Sequence, residues 1–213
     1  MLNLTFSILA VTLCFVPIIL YWRKRLAPDK SYLTIALFWA INGVTYAPEI
    51  FHWTWYLAIT NQITLIYNLI DAPLIILFFY FSFKRKFFLQ LLAAFFIFEI
   101  LVIARMGFNF NSDNIIIGSG TLICLILNIW ATSVYFQKIQ HTTEENALVF
   151  VNAGMIFYYG LFTVVFVFDY LLYRKVNLPY VTFVNYFSIC MATGLISFGL
   201  GKYAESNYPE ERY

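Results

Sequence analysis

Two carboxylic acids, Asp71 and Glu99, stand inside long stretches of the sequence that carry no other charge. Asp71 lies 13 residues before Lys84 and Glu99 lies 13 residues after Lys86, which is about 20 Å along a helix in each case. If both stretches cross a bilayer, the two carboxyl groups lie at almost the same depth and can share a cavity. A carboxyl group there, without a cation, is expected to keep its proton. It suits proton coupling, cation passage or hydrogen bonding to a polar solute, and does not suit anion binding.

Asp71 ends a stripe of polar side chains on one face of its helix. Asn61, Thr64, Asn68 and Asp71 are spaced by three, four and three residues, which places them on the same side of an α-helix. Pro73 follows two residues later and removes a backbone hydrogen bond close to the carboxyl group. Two later stretches carry shorter polar stripes: Thr121, Asn128 and Thr132 in one, and Thr182, Asn185 and Ser188 in the other.

These stripes predict a solute or proton site inside the membrane, made of Asp71, Glu99, Asn68, Asn185, Asn128 and Thr64. The alternative is that the amide and hydroxyl groups only form hydrogen bonds between neighbouring helices. A second cluster of polar residues lies at one end of the apolar stretches, away from the loops that are rich in Lys and Arg. It includes Glu49, His52, Arg105 and Asp169. It predicts an entrance vestibule, or else an ordinary interfacial belt whose cations reach towards water.

The elements that must position these residues are membrane-spanning helices. Of the 213 residues, 62% are hydrophobic and 11% are charged, against about half and about a quarter in soluble domains. With 13 Lys and Arg residues in all, the chain lacks the basic face of a nucleic-acid binder. Seven stretches are apolar for the length that a bilayer requires, at about residues 2–22, 31–48, 59–82, 87–104, 115–137, 147–168 and 178–201. The sequence therefore predicts an all-α bundle of seven transmembrane helices over residues 1–203, followed by a short polar tail at 204–213.

The positive charges favour one orientation of this bundle. One set of alternating loops holds ten Lys and Arg residues and the other set holds three, so the set of ten is predicted to be cytoplasmic. The N-terminus then lies outside and the tail inside, in a cell membrane or in the inner membrane of a bacterium. An offset of 117 residues pairs Gly43 with Gly160 and Asn68 with Asn185, which leaves open a parallel 3+1+3 repeat.

Metal and cofactor chemistry is not expected. The two histidines, His52 and His141, fall at opposite faces of the predicted bundle, so they cannot share a metal site. The three cysteines fall inside apolar stretches without metal-ligand spacing. No cofactor, no metal and no catalytic residue is therefore predicted.

The function that these features favour is a carrier or permeation unit for a neutral or cationic small solute, with proton coupling through the intramembrane carboxyl groups as an option. A seven-helix sensor that signals through a separate partner chain stays open, because it needs the same cavity. An intramembrane lipid-modifying enzyme would use Asp71 and Glu99 as general acid and base, although no nucleophile or nucleotide-binding motif accompanies them. The expected partners are the lipid bilayer, an unidentified solute or ligand, and either a second copy of the chain or a signalling protein.

Overall fold

The computed structural model describes residues 2–23, 29–50, 60–167 and 178–207, and within these ranges the chain forms helices joined by short turns, with no strand. The described helices are α1 (Leu2–Cys14), α2 (Val16–Arg23), α3 (Lys30–Ile50), α4 (Thr60–Phe83), α5 (Lys86–Met106), α6 (Phe110–Phe136), α7 (Thr143–Phe166) and α8 (Leu178–Asn207). α1 and α2 are one column interrupted at Phe15, because Pro17 lacks an amide hydrogen and its ring crowds the preceding turn. The prediction of an all-α chain is confirmed.

Six of the described helical segments are long and apolar enough to cross a membrane. They are Leu4–Arg23, Gln62–Phe83, Lys86–Met106, Asn111–Phe136, Thr143–Phe166 and Phe183–Ala204. Each coincides with one of the predicted spans, whereas α3, which corresponds to the predicted span at 31–48, is not among them. The described residues therefore form an all-helical protein in which six helices have the length and apolarity that a membrane span requires, as expected for a membrane protein.

Six helical columns pack side by side in a ring. Going round it, the α1–α2 column contacts α3, α3 contacts α4, α4 contacts α6, α6 contacts α7, α7 contacts α8, and α8 returns to the α1–α2 column. α5 packs against α4 and α6, and its buried residues are Phe88, Phe95 and Glu99 alone. α5 is therefore a peripheral helix whose remaining surface faces outwards.

Aromatic side chains fill the centre of the ring, where α3 faces α7. Phe38 and Trp39 of α3 are completely buried. Their rings lie 6.3 Å and 5.3 Å from the ring of Tyr158 on α7, both in edge-to-face geometry. This arrangement is favourable for aromatic rings, and it fills the space between the described parts of α3 and α7.

Small residues bring α7 and α8 close together. A Cβ atom added to Gly154 would lie 2.8 Å from the carbonyl oxygen of Ala192, and one added to Gly199 would lie 2.7 Å from that of Ala147. Close approach of helix backbones at small residues is typical of membrane bundles. The α7–α8 pair therefore forms a fixed wall of the ring.

Two capping boxes fix where helices begin. The Asn109 side chain accepts hydrogen bonds from the backbone N–H groups of Asn111 and Ser112 at the start of α6. Thr142 and Glu145 exchange side-chain and backbone hydrogen bonds in the same way at the start of α7. The second box lies at the end of the bundle where α3 begins and where the α4–α5 and α6–α7 turns lie. We call this end the basic end, after its residues Lys30, Lys84, Arg85, Lys86 and Lys138. The first box lies at the other end, called here the opposite end.

Candidate functional site

A cavity of about 40 Å³ surrounds Asp71 between α3, α4, α6 and α7. Its polar lining comprises Tyr46, Tyr67, Asn68, Asp71, Thr121, Tyr158 and Tyr159. At about 10–15 Å³ for each water centre, it has room for about three water molecules. Pockets for drug-sized ligands measure about 300–1,000 Å³, so this cavity fits water or a small ion in the conformation described.

Asp71 accepts one hydrogen bond on each of its carboxyl oxygens. Tyr67, one turn earlier on α4, donates to Oδ1 at 3.0 Å, and Tyr159 of α7 donates to Oδ2 at 3.1 Å. Asp71 forms no ion pair with any residue that the structure describes. The helix continues through Pro73, which lies two residues after the carboxyl group. Asp71 is thus held by two neutral hydroxyl groups, and each can turn to accept a hydrogen bond if the carboxyl group carries a proton.

A second carboxyl group, that of Asp113, approaches the cavity from the opposite end. Asp113 lies in the first turn of α6, where the capping box of Asn109 begins the helix. Its two oxygens accept hydrogen bonds from Nδ2 of Asn68, both at 3.1 Å. Its side chain is 7% exposed. Asn68 also lines the cavity one turn before Asp71, so it links Asp113 to the cavity.

Tyr158 and Asn42 continue the polar surroundings towards α3. Tyr158 lines the cavity beside Tyr159, and the Asn42 side chain lies near its hydroxyl group. Asn42 is completely buried, and neither of its side-chain polar atoms has a partner in hydrogen-bond geometry among the described residues. The Tyr158 hydroxyl group is therefore the polar group beside this buried amide.

Of the residues predicted for the intramembrane site, the structure brings Asp71 and Asn68 together at this cavity. Thr64 lies on α4 about two turns nearer the opposite end, is partly exposed and does not line the cavity. Asn185, on α8, is also outside the lining, and its Oδ1 has no partner among the described residues. Asn128 lies deeper along α6, is 0% exposed, and donates from Nδ2 to the Cys124 carbonyl oxygen at 2.7 Å.

Glu99 does not share the cavity of Asp71. It is 3% exposed on the inner face of α5, and its Oε1 has no hydrogen-bond partner among the described residues. Phe95, one turn earlier, lies 3.4 Å from the position that a Cβ atom on Gly120 would take, and Gly120 belongs to the cavity wall. Glu99 is therefore not part of the lining of the Asp71 cavity, and the acid–base pair of the enzyme hypothesis stays a prediction.

The predicted outer vestibule is described at one residue. Arg105 is exposed in the last turn of α5. The side chain of Glu49 and the whole of His52 and Asp169 lie outside the described residues. The vestibule therefore stays a prediction.

Sequence reasoning missed three groups that the site uses. Tyr67 precedes Asp71 by four residues, and this helical spacing could have identified it. Asp113 lies 45 positions from Asn68, and nothing in the spacing of the sequence pairs the two residues. Tyr159 is 88 positions from Asp71 and was hidden among the 16 tyrosines of the chain.

Among the residues that the structure describes, no group of three His, Cys, Asp or Glu side chains is placed to hold a metal ion. The site instead offers carboxyl, hydroxyl and amide oxygens around a space of a few water molecules. Such a set can exchange a proton or coordinate a small hard cation through oxygen.

In comparisons with known proteins, no family model, no curated protein and no solved structure matches this chain.

Proposed function

We propose that this protein is a small seven-helix membrane carrier or channel that moves protons across the bilayer through Asp71. The observation that carries the proposal is a membrane-buried carboxyl group in a water-sized cavity, bonded to two tyrosine hydroxyl groups and to no described cation. Ionisable groups inside a bilayer are costly and are retained for function.

The seventh span in this proposal is α3. Its 21 residues measure about 31 Å, which matches the hydrocarbon core of a bilayer. It is less apolar than the other spans because it contains polar residues such as Ser31, Thr34 and Asn42. These residues are buried against other helices, so they do not meet lipid. Polar residues on the inner side of a helix are compatible with spanning.

The orientation follows from the charges. With the basic end in the cytoplasm, the opposite end and Asp113 face the outside. The lining residues Tyr46, Ile117 and Phe162 lie towards the opposite end of their helices, while Asp71 lies near the middle of α4. In this orientation the cavity occupies the outer half of the bundle, with Asp71 at its inner limit.

The size of the cavity favours a proton over a larger solute. A space of about 40 Å³ is too small for a metabolite, and the rings of Phe38, Trp39 and Tyr158 fill the space between the described parts of α3 and α7. A sensor for an organic ligand would need a pocket of about 300 Å³ or more around the polar groups. The two clefts that approach this size, at about 290 Å³ and 260 Å³, lie beside α5 and do not include Asp71. A proton needs only hydrogen-bonded water and a group that can accept it.

The test is proton flux into liposomes that contain the purified protein and a pH-sensitive dye. A potassium diffusion potential drives the flux, and every other small cation is replaced by a bulky organic one. We expect the wild-type protein to carry protons faster than empty liposomes and Asp71→Asn to reduce the flux to the empty level, because an amide cannot take up a proton at neutral pH. Tyr80→Phe, on the same helix but outside the cavity lining, is the matched control and should leave the flux unchanged.

Equal fluxes from the wild-type protein and the Asp71→Asn variant would overturn the proposal. Sodium uptake into the liposomes, followed with a sodium-sensitive dye and abolished by Asp71→Asn, in a wild-type protein that shows no proton flux would replace the proton by a metal cation at the same site.

A further inference from the structure

A second cavity of about 40 Å³ lies at the basic end, between α6 and α7. Its polar residues are Tyr135 of α6, Lys138 of the α6–α7 turn, and Glu145 and Asn152 of α7. Lys138 and Glu145 form an ion pair there, with side chains that are 49% and 29% exposed. The site at Asp71 does not use any of these residues.

Both cavities lie on the same line of contact between α6 and α7. On α6, residues at intervals of three and four form one helical face: Thr121, Cys124, Asn128, Ala131 and Tyr135, followed at the same spacing by Lys138 in the turn after the helix. Thr121 lines the cavity of Asp71, and the last three of these residues line the cavity at the basic end.

The facing stripe on α7 has the same organisation. Its residues are Tyr159, Met155, Asn152, Leu148 and Glu145, again at intervals of three and four. Tyr159 lines the cavity of Asp71, and Asn152, Leu148 and Glu145 line the cavity at the basic end. We call the two facing stripes the α6–α7 seam. Only Cys124, Asn128 and Met155 of the seam lie between the two cavities.

Two acceptor oxygens on the seam lack partners. Asn128 is 0% exposed and Asn152 is 2% exposed, and the Oδ1 atom of each has no hydrogen-bond partner among the described residues. Leaving such an atom unpaired costs about 1–3 kcal/mol, and ordered water is the usual partner of buried polar groups in this state. Asn128 lies one turn from Ala131 of the basic-end cavity and two turns from Thr121 of the other.

We propose that the α6–α7 seam is the route by which protons pass between Asp71 and the basic end, along water held by the unpaired oxygens of Asn128 and Asn152. The Lys138–Glu145 pair borders the mouth of this route. The inference rests on the proposed proton transport at Asp71 and adds the path from that group to the other membrane face.

Radical footprinting tests whether the seam is hydrated, without reference to transport. Radiolysis of water in the purified wild-type protein oxidises side chains that touch internal water, and mass spectrometry locates the products. Met155, 0% exposed between the cavities, is the reporter, and Cys14, 0% exposed on α1, is the control. We expect oxidation of Met155, none of Cys14, and loss of the Met155 signal in Asn128→Leu. Protection of Met155 equal to that of Cys14 would overturn the route.

Proton flux in liposomes gives the second readout. Asn128→Leu and Asn152→Leu should reduce flux towards the level of Asp71→Asn, whereas Thr193→Val, a buried substitution on α8 whose hydroxyl bonds to its own helix, should not. Wild-type proton flux in both leucine variants, with flux at the level of empty liposomes in Asp71→Asn, would overturn the route but not the proposed function. Wild-type flux in Asp71→Asn would overturn the proposed function itself, and with it transport along the seam.

Discussion

Replacing Tyr159 by phenylalanine removes one of the two hydroxyl groups that hold Asp71 and changes little else. The Tyr159 side chain is 1% exposed, its ring lies 5.1 Å from that of Tyr158, and its hydroxyl group donates to Asp71 Oδ2 at 3.1 Å. Phenylalanine keeps the ring and its packing, so the quantity lost is one buried hydrogen bond.

The magnitude follows from the kind of bond. A hydrogen bond between neutral groups contributes about 0.5–1.5 kcal/mol, and those between membrane helices average about 0.6 kcal/mol. With Asp71 protonated, Tyr159→Phe should lower the free energy of unfolding by about 1 kcal/mol, or the melting temperature by about 2–4 °C for a chain of this size. With Asp71 ionised, the bond to a charged acceptor is worth about 1.5–3 kcal/mol, so the loss should grow if the carboxyl group releases its proton as the pH is raised.

A double-mutant cycle with Asp71→Ala, followed by thermal unfolding in detergent, isolates this bond. Without the carboxyl group the Tyr159 hydroxyl loses its acceptor, so Tyr159→Phe should cost almost nothing in the Asp71→Ala background. Tyr80→Phe should have the same small effect in both backgrounds. An equal cost of Tyr159→Phe with and without Asp71 would refute the assigned bond and the description of Asp71 as a hydroxyl-held group.

Three further substitutions test the packing and polar contacts, each by the melting temperature of the purified protein in detergent. Gly154→Ala should destabilise the protein by about 1–3 kcal/mol because the added Cβ atom meets α8. Gly160→Ala, whose Cβ atom would have nothing within 4 Å, should be neutral or stabilise the protein by up to about 1 kcal/mol. Equal effects of the two substitutions would contradict the close α7–α8 contact. Glu99→Leu should raise the melting temperature because it removes an unpaired buried oxygen, and a lowered value would show that Glu99 has a structural partner. Asn68→Leu should destabilise by about 1–3 kcal/mol because Asp113 loses its partner; an unchanged value would mean that water replaces the amide.

The helices were predictable because a bilayer imposes a length and an apolar composition on every span. Six predicted stretches coincide with helices of the required length and apolarity. α3 shows where this reasoning weakens. Polar residues such as Thr34 and Asn42 lower its mean hydropathy, and the helix can contain them because they are buried against other helices. The interruption at Phe15 was not predicted, although Pro17 marks it.

The site was predictable only in the part that lies on one helix. The stripe of α4 led to Asn68 and Asp71 because helical periodicity relates residues a few positions apart. The partners on α6 and α7 depend on how helices are arranged in the ring, and no periodicity within a helix contains that information. Glu99 illustrates the same limit. Equal depth in the membrane does not imply proximity, because α5 lies at the edge of the bundle and the buried Glu99 does not line the cavity of Asp71.

The ring order of the helices is compatible with the predicted 3+1+3 repeat, which stays a prediction. A rotation of the ring by three positions places the α1–α2 column on α6, α3 on α7 and α4 on α8. Each pair of neighbouring columns then falls on another neighbouring pair. The peripheral α5 occupies the position of a linker. The offset of 117 residues then pairs Asp71 with Ser188, whose hydroxyl donates to the Asn185 carbonyl oxygen at 2.7 Å. Because a hydroxyl group cannot take up a proton at neutral pH as a carboxylate can, Ser188 could not take the role that we propose for Asp71, and the two halves of such a repeat would differ in chemistry at this position.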